Sequence, residues 1–360
     1  MGLKAGDLLK DLNSSQERFK ISSLLKEGRS FFVALGQDTH LEDMQVVMKS
    51  IRYPEPFDAQ AAEERRGALR LELEALTAPS SLLPEPIDFL EVSSEIDESG
   101  KEPVLVLEFI NGKTLREEVL RAEAGIEAPR ALALVRELAM GMATLHAHGF
   151  VYRDLNPDHV IVGFDDNIHL VGTGNIARIQ DRPFRAKEGV SENYSAPEIR
   201  HEVSGKFITP RADVYCLGAL LSFLLTGVDP SNKVESPLKA AGYKRLSAMP
   251  EGYGLLVAKA MEPMAKKRFK SAEDMLKYLS PSALPSRTDK PFIKTSLPAP
   301  FDLNEDNRAT NSRLSAGPLI SVQGEKMVKR AQPPWYRSCL PWASAVGLVL
   351  GAAAYAAAVV

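Results

Sequence analysis

Tyr152-Arg153-Asp154-Leu155-Asn156-Pro157-Asp158-His159 is a turn-rich segment with a carboxylate near its centre, and the architecture of the chain can be worked out from it. Asp, Asn and Pro favour tight bends over helix or strand, so the segment reads as a loop. It runs into the apolar stretch Val160-Ile161-Val162, a turn over Gly163-Phe164-Asp165-Asp166-Asn167, and a second stretch, Ile168-His169-Leu170-Val171. That pattern predicts two short antiparallel strands. Directly after them comes Gly172-Thr173-Gly174.

Loop, hairpin and glycine turn together closely resemble the catalytic loop and metal-binding turn of protein kinases, H-R-D-L-K-P-x-N followed by D-F-G. Gly172 falls where that family's metal-binding aspartate is expected after the catalytic one. The resemblance puts Asp154 in the place of the catalytic base, with Arg153 before it. Asn156 stands where the family has a lysine, so a positive charge beside the transferred phosphoryl group is gone. His159 replaces an asparagine metal ligand, offering imidazole where a hard cation prefers oxygen. Gly172 deletes the anionic ligand, and Thr173 replaces a phenylalanine that packs beneath the regulatory helix. Phosphoryl transfer depends on positioning and charge neutralisation, and one such stabiliser is typically worth about 3 kcal/mol. These losses predict turnover at the edge of detection. Asp158, Asp165 and Asp166 are nearby carboxylates, expected in turns that face solvent.

Upstream, residues 1–20 read as a polar, helix-prone lead, and Ile21 to Leu35 reads as strand, turn, strand around Lys26-Glu27-Gly28-Arg29-Ser30. This hairpin is similar to the kinase G-x-G-x-x-G-x-V loop, whose glycines let backbone N–H groups approach nucleotide phosphates. Aligned on Val33, only Gly28 is kept; Lys26 and Phe31 occupy the other glycine positions, and the Phe31 ring would fill phosphate space. Gln45 to Lys49 alternates like a strand and resembles V-A-I-K, which makes Lys49 the phosphate-contacting lysine and has Val47 narrowing the adenine slot. Ala59 to Leu76 is a helix pattern ended by Pro79 and Ser80-Ser81. The family pairs a glutamate of this helix with the strand lysine. Glu72 is the candidate, strict spacing back from Pro79 selects Leu69, and a plain surface carboxylate is the other reading of Glu72. Leu83 to Glu91 and Pro103 to Phe109 read as the next strands. Val104 to Leu115 is very like the kinase hinge, which implies that Glu108 and Ile110 offer backbone groups to adenine. Gly28, Val33, Lys49, Glu72, Glu108, Ile110 and Ile161 make up the nucleotide-binding set that the resemblance implies.

Downstream, Leu134, Val135, Leu138, Met142 and Leu145 recur at three- and four-residue steps, predicting an amphipathic helix from Ala131 to His146. His146 and His148 read as its terminus rather than as metal ligands. Ser191 to Ile199 resembles the end of a kinase activation segment, with Ala196-Pro197-Glu198 as its A-P-E. Asp213 to Leu221 matches the buried helix that follows. The resemblance makes Asp213 the acceptor for catalytic-loop N–H groups and Arg268 the partner of Glu198, both structural roles beside that of Arg153. The match covers about residues 21–280. It implies an α+β, bilobal kinase-like fold: an N-lobe (21–110) of antiparallel sheet plus one helix, and a mainly helical C-lobe (111–280).

From 281 to 334 the chain holds eight prolines and many Ser, Asn and Asp residues, the composition of a flexible juxtamembrane linker. Trp342 to Val360 is nineteen residues without a charge, about 28 Å if helical and enough for one bilayer crossing. Lys326, Lys329, Arg330 and Arg337 precede it, so the kinase-like domain is expected on the cytoplasmic side. Ala343, Gly347 and Gly351 form a small-residue face of the G-x-x-x-G kind, through which two copies would pack as a homodimer.

With 360 residues, 44% of them hydrophobic, the chain is long enough for a substantial core. A net charge of −3 and the lack of a basic stripe argue against nucleic acid as a partner. Cys216 and Cys339 show neither metal spacing nor a disulfide framework, and Met1 to Lys10 lacks the apolar run of a signal peptide. Two functions are expected from these observations. One is a membrane-anchored pseudokinase that serves as a signalling scaffold for protein partners. The other is a weakly active Ser/Thr kinase that transfers the ATP γ-phosphate to protein. ATP is the cofactor the resemblance implies, and magnesium lacks a firm anchor.

Overall fold

Short runs of β-branched and aliphatic residues, broken by glycine and acidic turns, build a six-stranded antiparallel sheet in the first part of the chain. The computed structural model describes residues 4–285, apart from 15, 97–99, 123–124, 165, 180–190, 201–208 and 231–250. The linker beyond 285, the apolar segment 342–360 with Gly347 and Gly351, Cys339, Asp165 and the polar run 180–190 lie outside the described residues. Among the described residues no helix is long and apolar enough to cross a membrane.

The strands are β1 (Leu8–Lys10), β2 (Glu17–Glu27), β3 (Phe31–Asp38), β4 (Met44–Ile51), β5 (Pro86–Ser93) and β6 (Lys101–Glu108), in spatial order β1-β2-β3-β4-β6-β5. The expected helix-prone lead is corrected here. Leu9 pairs with Phe19 across β1 and β2, and both bury in an apolar cluster on the outer face of the sheet with Ile21. Alternating apolar residues with somewhere to bury outweighed a polar average composition. On the next strands, Val33 faces Lys26 on one side and Lys49 on the other. Directly opposed residues of antiparallel strands share a face, so Lys26, Val33 and Lys49 form one cross-strand row. Val33 belongs to the inner apolar cluster, whereas its neighbour Ala34 and the opposed Met48 belong to the outer one. The row therefore looks inward, toward the rest of the molecule.

Helix α1 (Ala59–Leu76) has the bounds its sequence predicts. Asp58 caps it by accepting from the N–H groups of Gln60 and Ala61. Its buried face, Ala62, Leu69, Glu72, Ala75 and Leu76, lies against β4 and β6.

The second lobe begins with β7 (Gly112–Thr114) and the helices α2 (Leu115–Arg121) and α3 (Ala128–Ala147). Helix α3 starts one turn earlier than the apolar spacing suggests, because Pro129 occupies its first turn, where the missing N–H costs nothing. β8 (Phe150–Val151) leads into the central loop; β9 (Val160–Gly163) and β10 (Ile168–Leu170) pair antiparallel, as expected of that stretch. β7 flanks β9 so closely that a Cβ on Gly112 would fall 2.2 Å from the Val162 carbonyl oxygen. β11 (Ala177–Arg178) returns to β8. Then come α4 (Pro197–Arg200), α5 (Arg211–Thr226) and the helices Glu251–Ala260 and Ala272–Leu276. Helix α5 is buried all round from Ala212 to Thr226, as a helix apolar on every side must be. It ends at Gly227, whose φ of 67° suits a residue without a Cβ. One apolar cluster runs from the inner sheet face through α1 to α3 and α5.

Candidate active site

The cleft between sheet and helices gathers most of the residues singled out in the sequence. Lys49 on β4 donates to Glu72 Oε2 of α1 at 2.6 Å, with both side chains nearly sealed from solvent. Of the alternatives at this helix position, Glu72 meets the lysine; Leu69, one turn away, joins the apolar cluster. The second oxygen, Oε1, accepts the Thr173 hydroxyl at 2.5 Å. The expected loss of a hydrophobic link beneath α1 is therefore made good by a polar one. The Phe31 ring centroid lies 4.6 Å from Lys49 Nζ, a cation–π contact that places an aromatic ring where a glycine-rich loop would leave room. Across from it, a Cβ on Gly174 would come within 2.5 Å of Nζ. The ammonium is thus enclosed by Glu72, Phe31 and Gly174.

Below it, the central loop hangs from α5. Asp213 accepts the backbone N–H of Tyr152 at 2.8 Å and of Arg153 at 2.6 Å, while His146 Nε2 lies 2.8 Å from Asp213 Oδ2. His146 therefore braces the loop's anchor besides ending α3. Arg153 sits at φ 73° and donates to the Asn175 carbonyl. Asp154 is 1% exposed. Its Oδ1 accepts from the Ser191 backbone N–H at 2.9 Å and its Oδ2 from Asn175 Nδ2 at 3.0 Å. Burial pushes its carboxyl above the usual range, with His159 and these hydrogen bonds pulling the other way.

Asn156 was expected beside Asp154 as a catalytic position, but its side chain is turned into its own loop. It donates to the Asp154 carbonyl at 3.0 Å and accepts from the N–H groups of Asp158 at 2.9 Å and His159 at 3.2 Å. His159 is buried with Nδ1 2.8 Å from the Asp154 carbonyl. Gly172 adopts φ 74° at the entry to the one-turn 3₁₀ helix Thr173–Asn175, a left-handed conformation that an L side chain adopts at a cost of about 1–2 kcal/mol.

Asp158 holds Arg116 Nε with both oxygens at 2.8 Å, and Arg116 Nη1 reaches Asp229 at 3.0 and 3.2 Å. The Tyr194 hydroxyl donates to the same Asp229. The loop's spare carboxylate is thereby committed to a lattice joining α2, the central loop and the segment before α4. These residues do not fit a hard divalent cation: Gly172 supplies no donor, His159 turns to a backbone carbonyl, and Asp158 is ion-paired. Among the described residues no cluster of His, Cys, Asp and Glu could hold a metal ion.

Apart from Glu108, the residues that the resemblance assigns to adenine are apolar and buried. Val33, Val47, Leu107 and Ile161 all belong to the inner cluster, with Ile110 beside them. Glu108, at the end of β6, is tied to Glu85 through both its backbone N–H and its carboxylate. Gly28 forms the tight turn of the β2–β3 hairpin, donating to the Phe31 carbonyl at 2.9 Å. Farther down, Arg268 grips Glu198 with two parallel bonds of 2.7 and 2.8 Å, which pins α4 to the end of the domain.

Sequence reasoning missed Asn175, Arg116 and the link from Thr173 to Glu72. Only the position of Thr173 carried a signal, a small hydroxyl where the turn otherwise places an apolar ring.

A family model described as protein kinase domain matches residues 39–289. Serine/threonine-protein kinase PknD of Mycobacterium tuberculosis is 31% identical over 182 residues, 47% of this chain and 27% of the relative. PknL of the same organism is 30% identical over 238 residues, 64% of this chain and 54% of the relative. A PknB from that species is 24% identical over 274 residues, covering 72% and 42% respectively. The chain thus spans about half or less of the length of these relatives.

Proposed function

The chain belongs to the protein kinase family, and from that premise we propose that it is a membrane-anchored pseudokinase. In this proposal the domain holds a nucleotide, has lost efficient phosphoryl transfer, and signals through its conformation and its contacts with protein partners. The observation that carries it is Gly172. A residue without a side chain occupies a left-handed turn, where a carboxylate would have to anchor the metal, and Thr173 beside it is bonded to Glu72. The apolar wall of Val33, Val47, Leu107 and Ile161 suits a planar base. Lys49 is oriented by Glu72, and Asp154 is held by Ser191 and Asn175. Anchoring rests on the uncharged run Trp342 to Val360 and the basic residues before it, with Gly347 and Gly351 as the face for self-association.

A second function, weak Ser/Thr kinase activity, is favoured by the intact Lys49–Glu72 pair and by the carboxylate kept at Asp154. Incubating the full-length chain with labelled ATP and magnesium or manganese separates the two. The pseudokinase predicts no incorporation above that of Asp154→Asn. Incorporation in the parent chain that Asp154→Asn abolishes selects the kinase.

A further inference from the structure

The cross-strand row on the inner sheet face carries two lysines, and they are in different circumstances. Lys49 is consumed: Glu72 holds it at 2.6 Å and the Phe31 ring covers it. Lys26, two strands away in the same row, is half-buried, and among the described residues it makes no contact ion pair. Neighbouring strands are about 4.8 Å apart, so the two lysine backbones lie roughly 10 Å from each other, with Val33 between. A triphosphate lying between the row and the central loop would have Lys26 as the row's remaining cation. Burial holds the Lys26 ammonium below the usual lysine range, and the charges of Asp154 and Asp158 oppose that shift. Asp154 is bonded to Ser191 and Asn175 and Asp158 to Arg116, and among the described residues neither makes a contact ion pair with Lys26. An ammonium placed beside two occupied acids, in a cleft whose metal anchors are gone, has the location and charge to neutralise an incoming polyanion.

We propose that Lys26 is the phosphate-binding cation of this cleft and that a nucleoside triphosphate is held there without a metal ion. The proposal rests on the nucleotide-holding, transfer-poor state argued above, and it assigns to a side chain the charge neutralisation that a divalent ion cannot supply here.

The test is calorimetric titration of the full-length chain in detergent with ATP and with adenosine, each in EDTA and in magnesium. ATP is expected to bind equally well in both media. Lys26→Met should weaken ATP about tenfold, the loss of one charge-assisted contact, without changing adenosine affinity, and Lys26→Arg should keep most of the ATP affinity. The assignment is overturned if ATP fails to bind, binds only with magnesium, or binds Lys26→Met as tightly as the parent. Labelled-phosphate transfer lost in Asp154→Asn would overturn the transfer-poor state itself. Metal-free ATP binding indifferent to Lys26→Met would leave that state standing and overturn only the part given to Lys26.

Discussion

Thr173 shows how much one side chain can change at this site. Its hydroxyl satisfies the second oxygen of a buried carboxylate, and a hydrogen bond to a charged group is worth about 1.5–3 kcal/mol. Thr173→Val keeps the shape and removes the bond, so the unfolding free energy from urea titration should fall by that amount with little change in slope. Glu102 on β6 is a second case. Burial pushes its carboxyl up to about 7, with the Arg66 charge pulling only partly the other way. The folded value lies above the ordinary 4.5, so the folded state binds the proton more tightly than the unfolded one. The resulting stability is complete below pH 4.5 and is lost as pH rises through about 7. Glu102→Gln should therefore flatten the decline in melting temperature between pH 5 and 8. Lys49 was legible in the sequence through the resemblance of Gln45 to Lys49 to V-A-I-K. Glu72, the candidate among the several carboxylates of α1, is the one that meets the lysine, and the sheet excludes both the Leu69 spacing and the surface-carboxylate reading.

Among the elements, α5 fixes the central loop. Asp213 accepts two backbone N–H groups of that loop and meets His146 as well. Asp213→Asn replaces one acceptor oxygen by a donor amide and removes a buried charge from its partners. A loss of about 3 kcal/mol or more is expected, read as a large drop in melting temperature. Helix α1 was legible to both ends because its helix-forming run stops at Pro79 and Ser80-Ser81, and the structure adds the Asp58 cap at its start. The first strand was not. A three-residue strand leaves no periodicity to detect, and Leu9 becomes informative only once Phe19 is known to face it.

For the molecule as a whole, the sequence made the bilobal order of sheet and helices readable, because glycines, prolines and apolar runs punctuate nearly every element. It also made the substitutions at Asn156, His159 and Gly172 readable, since those depend on residue identity. The compensations at Thr173, Asn175 and Arg116 depend on which distant surfaces meet, and one-dimensional patterns do not carry that. Removing residues 342–360 should move the chain from the carbonate-resistant membrane fraction to the soluble one; unchanged fractionation would eliminate the anchor. The bond from Thr173 to Glu72 has one more consequence, since it ties the helix of the upper lobe to a turn of the lower one through two buried side chains. Breathing of the two lobes about their connection must break it. Amide protons of α1 and of the turn after β10 should therefore exchange with deuterated solvent together, at one shared slow rate, with no helix that opens ahead of the rest.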